Sequence, residues 1–156
     1  MKKLIQLLTE KKLTIAVAES CTGGNLSALL TSENGSSVYF DRGFITYSNQ
    51  AKMDMLGVNA NTLKNFGAVS EQTALEMVQG VIKNSSANIG VSITGIAGPT
   101  GGTKDKPVGT VCFGFCILGE CSITTQYFSG DRYSVVEQSV AFVVDVLQKQ
   151  LQCIIM

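Results

Sequence analysis

The sequence predicts an α/β fold, in which buried strands alternate with amphipathic helices and the sheet carries an antiparallel hairpin. Three observations carry this expectation. Residues 15–18 form a short apolar run that reads as a buried strand. It passes at once through Glu19, Ser20, Cys21 and Thr22 into the pair Gly23, Gly24 and a helically spaced Leu26, Leu29 and Leu30. Ala74, Met77, Val78, Val81 and Ile82 give the strongest helical pattern in the chain and lead back to a strand over residues 88–94. Residues 108–118 and 121–128 are strand-like runs joined by a tight turn at Gly119 and Glu120, which makes a β-hairpin.

Composition bounds the rest. The chain has 156 residues, the usual size of one domain, and residues 1–156 are read as a single unit. Hydrophobic residues make up 45% and charged residues 15%, enough apolar material for a real core. A net charge of +0 argues against a nucleic-acid partner, whose surface calls for a basic stripe. Lys2 and Lys3 are basic, but Gln6 breaks the apolar run that follows and Thr9, Glu10, Lys11 and Lys12 end it, so no signal peptide is read. No apolar run nears the roughly 20 residues that cross a bilayer, so no membrane partner is expected. Five cysteines without a C-x-x-C pair read as free thiols in a reducing cytoplasm. Histidine is absent, which removes Ser-His-Asp and Cys-His catalysis and most zinc sites. No metal and no cofactor is therefore expected, and nucleophilic chemistry would take its base from Lys, Tyr or a carboxylate.

In chain order, residues 1–12 read as a short amphipathic helix with Leu4, Leu7 and Leu8 on one face. The strand at 15–18 and the glycine-led helix follow, and that helix should end at 31–35, where polar residues and glycine gather. Residues 40–48, rich in aromatic and β-branched side chains, form the next strand. Asn49 fits as N-cap of a helix over 50–56, stopped by Gly57. A short helix or turn covers 59–66. Ser70 caps the long helix, with Glu71 in its first turn. A glycine-rich loop then runs from Gly95 to Gly109, holding both prolines, Pro99 and Pro107. It matches neither the P-loop nor G-x-G-x-x-G. The last helix begins after Ser129, Gly130 and Asp131, and Val135, Val136, Val140, Val143, Val146 and Leu147 give it a broad apolar face.

Three places hold candidate chemistry. Ser20 stands at the carboxyl end of a strand, where open α/β sheets bind ligands, and helix-start N–H groups there can receive an anion. An ordinary βα turn with a hydroxyl cap is the competing reading. Tyr47, Ser48 and Lys52 form a second polar tip, against which stands a solvated surface lysine. Arg132 lies in a first helical turn, where a cation opposes the dipole. It is either half of an anion site or a surface side chain. The 95–109 loop is either functional or a surface connection.

AESCTGG at 18–24, GFITYSNQAK at 43–52, ITGIAGPTGG at 93–102 with KPVG at 106–109, and FSGDR at 128–132 together resemble one family along nearly the whole chain. The order and spacing are similar to the C-terminal domain of the competence/damage-inducible protein CinA, in its stand-alone PncC-type nicotinamide-nucleotide amidase form. The resemblance implies a three-layer α/β/α sandwich with a mixed, mostly parallel sheet and an antiparallel hairpin. It implies hydrolysis of nicotinamide mononucleotide to nicotinate mononucleotide and ammonia, without a metal, in pyridine-nucleotide salvage. It carries the nucleophile onto Ser20, a tyrosine and a lysine onto Tyr47 and Lys52, and an arginine onto Arg132. Thr94 stands where some relatives have serine. A homodimer is expected.

On this reading the base for Ser20 is Lys52 or Tyr47; Lys52 serves if desolvation lowers its pKa, with Tyr47 then relaying the proton or holding Lys52. Glu19, Cys21, Thr22, Gly23, Gly24, Thr94, Gly95 and Arg132 are expected around the substrate, with N–H groups near Cys21–Gly24 as oxyanion donors. Glu19 either orients its neighbours or is a buried paired carboxylate, and Cys21 packs rather than reacts. The rival is a non-catalytic nucleotide-sensing or protein-interaction module linked to competence or DNA damage.

Overall fold

Alternation along one strand divides the molecule into its layers. In β1 (Ile15–Glu19) the large side chains Ile15 and Val17 point to one face of the sheet, and the small Ala16 and Ala18 to the other. The large face packs against α1 (Lys2–Glu10), α2 (Asn25–Leu30) and α6 (Arg132–Cys153). The small face packs against α3 (Asn49–Leu56), α4 (Ala60–Phe66) and α5 (Glu71–Lys83). The computed structural model describes residues 1–154. Helices thus cover both faces of a five-stranded sheet, the expected three-layer arrangement.

β1 pairs in parallel with β2 (Phe40–Ile45) on one side and with β3 (Ile89–Gly95) on the other. β3 pairs antiparallel with β4 (Thr110–Ile117), and β4 antiparallel with β5 (Glu120–Tyr127). The spatial order is 2-1-3-4-5, and β4 alone runs against the other strands. β4 is buried along its whole length, with Val111, Phe113, Phe115 and Ile117 in the large-residue core. Its opposite face presents Gly114, where a Cβ would lie 2.8 Å from the Ala74 carbonyl oxygen and 2.8 Å from a Val78 methyl. The glycine lets α5 lie against the sheet, and Ser92 Oγ then donates to Ala74 O at 2.7 Å.

The chain leaves β1 toward α2 on one face and leaves β2 toward α3 on the other. Neighbouring parallel strands with opposite exits leave a crevice at their carboxyl ends. Ser20 and Thr46 are the first residues beyond those two ends. The strand expected over 40–48 stops at Ile45, and Thr46 N–H makes the last link to β1 by donating to Glu19 O at 2.9 Å. Ser48, not Asn49, caps α3, accepting from Ala51 N–H at 3.0 Å, and Gly57 ends that helix in the left-handed region at φ 70°.

The expectation of five free thiols is corrected by a Cys116–Cys121 disulfide between β4 and β5. The hairpin turns at Leu118 and Gly119, with φ 51° and 93°, rather than at Gly119 and Glu120. The turn one residue earlier puts Ile117 opposite Glu120 and Cys116 opposite Cys121. The misplaced turn hid this pairing, and a reducing compartment loses the support that five free thiols lent it. Among the described residues no helix is long and apolar enough to cross a membrane.

Gly80 sits in the middle of α5, and a Cβ there would overlap the carbonyl oxygen of Leu56, the last residue of α3. Gly80→Ala should therefore destabilise the protein by about 1–3 kcal/mol through overpacking, although alanine gains about 1 kcal/mol in helix propensity. Urea denaturation should show a lower midpoint. An unchanged or higher midpoint would mean that α3 can slide away freely.

Candidate active site

The structure turns a first-turn helix lysine into a buried one. Lys52 is only 1% exposed, because α3 leans over the carboxyl ends of β1 and β2. Its ammonium donates to Ser20 Oγ at 2.9 Å and to Thr46 O at 2.9 Å. Ser20 itself is fixed by its amide, which donates to Ile93 O at 3.0 Å. Burial pulls the Lys52 pKa below the ordinary lysine value, so the neutral amine becomes accessible nearer neutrality. In that neutral form the bond to Ser20 can reverse, with the hydroxyl donating to the amine. Burial also pushes the Cys21 thiol up to about 12, against opposing help from its own amide, Arg132 and Lys52. Cys21 therefore faces the cleft as a thiol and not as a thiolate.

Glu19 is fully buried and directed away from the cleft. Oε1 accepts from Leu26 N–H at 2.8 Å, and Oε2 accepts from Ser27 N–H at 2.9 Å and Ser27 Oγ at 2.7 Å. This corrects two expectations at once. Glu19 is not a substrate contact here, and the first amides of α2 are already taken by a side chain. The next amide, Asn25 N–H, donates to Thr22 O at 3.0 Å. The amides of Cys21, Thr22 and Gly24 have no acceptor among the described residues, and of these three residues only Cys21 lines the cleft. Gly23 and Gly24 do not line the cleft. They stand at φ 54° and 103°, where side chains are strained, and they bend the chain from strand into helix. Thr22 is fully buried behind the turn. Its hydroxyl and that of Thr46 are buried without a hydrogen-bond partner among the described residues.

Arg132 reaches across the mouth of the cleft from the first turn of α6. One terminal nitrogen donates to Gly98 O at 2.8 Å, and the other donates to Tyr47 OH at 2.7 Å. Of its five N–H donors, three remain for an anion. Tyr47 accepts from Arg132, which leaves its own phenolic proton to donate. Thr94 Oγ1 donates to Ala68 O at 2.7 Å and fixes the wall opposite α3. Gly95 is tight against β4, since a Cβ would come within 2.9 Å of Thr110 O.

Ser20, Cys21, Tyr47, Lys52, Thr94, Gly95 and Arg132 thus converge on one cleft of about 260 Å³. The glycine-rich loop supplies Ile96, Ala97, Gly98, Thr100 and Gly101 to the same cleft, which resolves that loop as part of the site. Asn49, Ala68 and Val69 also line it and were not anticipated. Asn49 was legible only as a helix cap, and Ala68 and Val69 carry no chemical signal in a sequence. A larger cavity of about 610 Å³ lies between the hairpin tip and the end of α6. It is lined by Ile117, Leu118, Cys153 and Ile154 among others and holds no paired nucleophile and base. Chemistry, not size, identifies the candidate site.

A family model described as the CinA C-terminal domain matches residues 1–151. A relative in Clostridium acetobutylicum, named as a competence-damage inducible protein, is 51% identical over 145 residues, covering 93% of this chain and 35% of the relative. The chain thus spans about a third of the length of the curated relatives it matches. Among solved structures, the CinA superfamily protein from Klebsiella pneumoniae 700603 superposes with a TM-score of 0.93 at 37% identity, covering 96% of this chain and 94% of that one. The competence or damage-inducible protein from Enterobacter asburiae gives a TM-score of 0.92 at 44% identity, covering 96% and 94%.

The lowered Lys52 pKa has a stability signature. Between that lowered value and about 10.4, the unfolded chain binds a proton that the folded protein lacks, so stability rises with pH across this window. Lys52→Met removes the group. The stability of the wild type minus that of Lys52→Met should therefore increase as pH is raised through the window, measured by urea unfolding at a series of pH values. A flat difference would mean that the amine titrates as it does in water.

Proposed function

The chain belongs to the CinA C-terminal domain family, and on that premise we propose that it is a serine amidohydrolase converting nicotinamide mononucleotide to nicotinate mononucleotide and ammonia. The observation that carries the reading is the buried Lys52 amine 2.9 Å from Ser20 Oγ, in a cleft with no histidine to compete for the role of base. Neutral Lys52 takes the Ser20 proton as Oγ attacks the carboxamide carbon. The Cys21 and Thr22 amides face the negative charge that develops on the carbonyl oxygen. Lys52 then returns the proton to the departing nitrogen, which leaves as ammonia, and Ser20 holds the acyl group as an ester. Water, deprotonated by Lys52, attacks that ester and frees the carboxylate. Thr46 O holds the amine in line throughout, because it accepts a hydrogen bond from an N–H that Lys52 keeps in either charge state. Arg132, with three donors unspent, is assigned the substrate phosphate, and Tyr47 donates its phenolic proton toward the same ligand.

The names of the relatives speak of competence and damage, which favours a second reading, a nucleotide-responsive module without turnover. Ammonia release from nicotinamide mononucleotide by the purified protein separates the two. Turnover supports the amidase, whereas ligand-induced stabilisation without ammonia supports the module.

Ser20→Ala should lose far more than tenfold in kcat, the equivalent of about 1.4 kcal/mol of barrier, while keeping its fold. Lys52→Arg should be equally inactive, since it restores charge without basicity. An arginine variant with near-normal kcat would reassign Lys52 as an electrostatic anchor. Among the described residues no three His, Cys, Asp or Glu side chains are placed to hold a metal ion. Prolonged treatment with a chelator should leave kcat unchanged, and loss that one added metal restores would overturn the metal-free mechanism.

A further inference from the structure

We propose that Glu19 is a positioning residue for the reaction at Ser20: its carboxylate fills the start of α2 and thereby holds the 20–24 turn in the form that sets the Cys21 and Thr22 amides beside the nucleophile. The inference rests on the amidase reading above.

A carboxylate with no exposed surface normally needs a cation. Among the described residues the ion pairs are Arg42–Asp41 and Lys149–Asp145, so Glu19 has none. Its negative charge is met by two backbone amides and one hydroxyl, all from the first turn of α2. That helix is six residues long, too short to stand by itself, and its N-cap is Gly24, which has no side chain to cap with. Glu19 supplies the missing cap from the far side of the turn. The segment between is pinned at both ends, by Glu19 at α2 and by the Ser20 amide on Ile93 O. Gly23 N–H closes it further by donating to Ser20 O at 3.0 Å. Three amides of this segment, those of Cys21, Thr22 and Gly24, have no acceptor among the described residues, and Cys21 and Thr22 are the two that directly follow Ser20 in the chain.

The main chain of Glu19 reaches the base as well. Glu19 O accepts from Thr46 N–H, and Thr46 O accepts from Lys52 Nζ. One residue is therefore joined to the oxyanion donors through its side chain and to the amine through its backbone. Even Gly43 fits this arrangement. Its absent Cβ leaves room for Ser27, whose hydroxyl would otherwise be displaced from Glu19.

Glutamine cannot reproduce the contact. It has one acceptor oxygen, and its NH₂ would face the Leu26 or Ser27 amide, donor against donor. Aspartate is one methylene too short to reach both. Ser27→Ala removes a single donor and keeps the rest. The test measures kcat and KM on nicotinamide mononucleotide, melting temperature, and the rate at which 4-nitrophenyl acetate acylates Ser20, with Ser20→Ala as background. Glu19→Gln should lower kcat about tenfold or more, leave KM within about threefold and slow acylation in parallel. Ser27→Ala should shift the same kinetic readouts in the same direction by a smaller factor, with a smaller fall in melting temperature than Glu19→Gln shows. A rise in KM at constant kcat would overturn the proposal and make Glu19 a substrate contact. Normal kcat and acylation in the folded fraction would reduce Glu19 to a purely structural cap. If the wild type releases no ammonia but acylates at Ser20, the acylation rates still decide the role of Glu19, and only the substrate reading falls.

Discussion

A lysine amine sealed against a serine hydroxyl sets the terms for the structure around it. In water that amine is protonated and useless as a base near neutral pH. Only desolvation lowers its pKa, and desolvation requires that an entire helix be held over the end of the sheet. α3 is held by the Ser48 cap at one end and by Gly57 at the other, and it is wedged by Leu56 against Gly80 of α5. The charge costs stability wherever it persists, and the buried partnerless hydroxyls of Thr22 and Thr46 add to that cost. Unsatisfied groups gather at this junction, as stability–activity conflict leads one to expect.

The same demand explains the lopsided sheet. On the face toward α1, α2 and α6 the strands carry Ile, Val and Phe, and ordinary hydrophobic packing does the work. On the face toward α5 they carry Ala16, Ala18, Gly90, Ser92 and Gly114. Small residues bring α5 close, and α5 in turn backs α3. A bulkier face would lift that layer and expose Lys52 to water, without any change in the residues of the site itself.

Much of this was legible in the sequence because local signals agreed with the final arrangement. The 15–24 strand-turn-helix, the Ser70 cap and the apolar face of α6 each follow from spacing and capping alone. Tyr47, Lys52 and Arg132 were legible as candidates, but only the family resemblance pointed to their meeting at Ser20, since nothing local brings the segments around residues 20, 50 and 132 together. What failed was register and direction. A one-residue error in the hairpin turn hid the Cys116–Cys121 pair. Glu19 was expected around the substrate, with an orienting or a buried carboxylate as the other readings, and alternation along a strand sends it and Ser20 opposite ways. Its partners, Leu26 and Ser27, lie seven and eight residues on, and one of them contributes only a backbone amide, which a sequence does not display.

The two halves of the cleft differ in how much chain they must bring together. The Ser20–Lys52 contact closes 32 residues, whereas the Arg132–Tyr47 contact at the mouth closes 85. By loop-closure entropy alone the longer closure costs about 0.9 kcal/mol more. The mouth is also exposed, while the dyad is sealed. The hierarchy of local opening therefore runs from outside inward. The exposed Arg132–Tyr47 contact belongs to the low-stability end of that hierarchy, and the buried Ser20–Lys52 contact to the other.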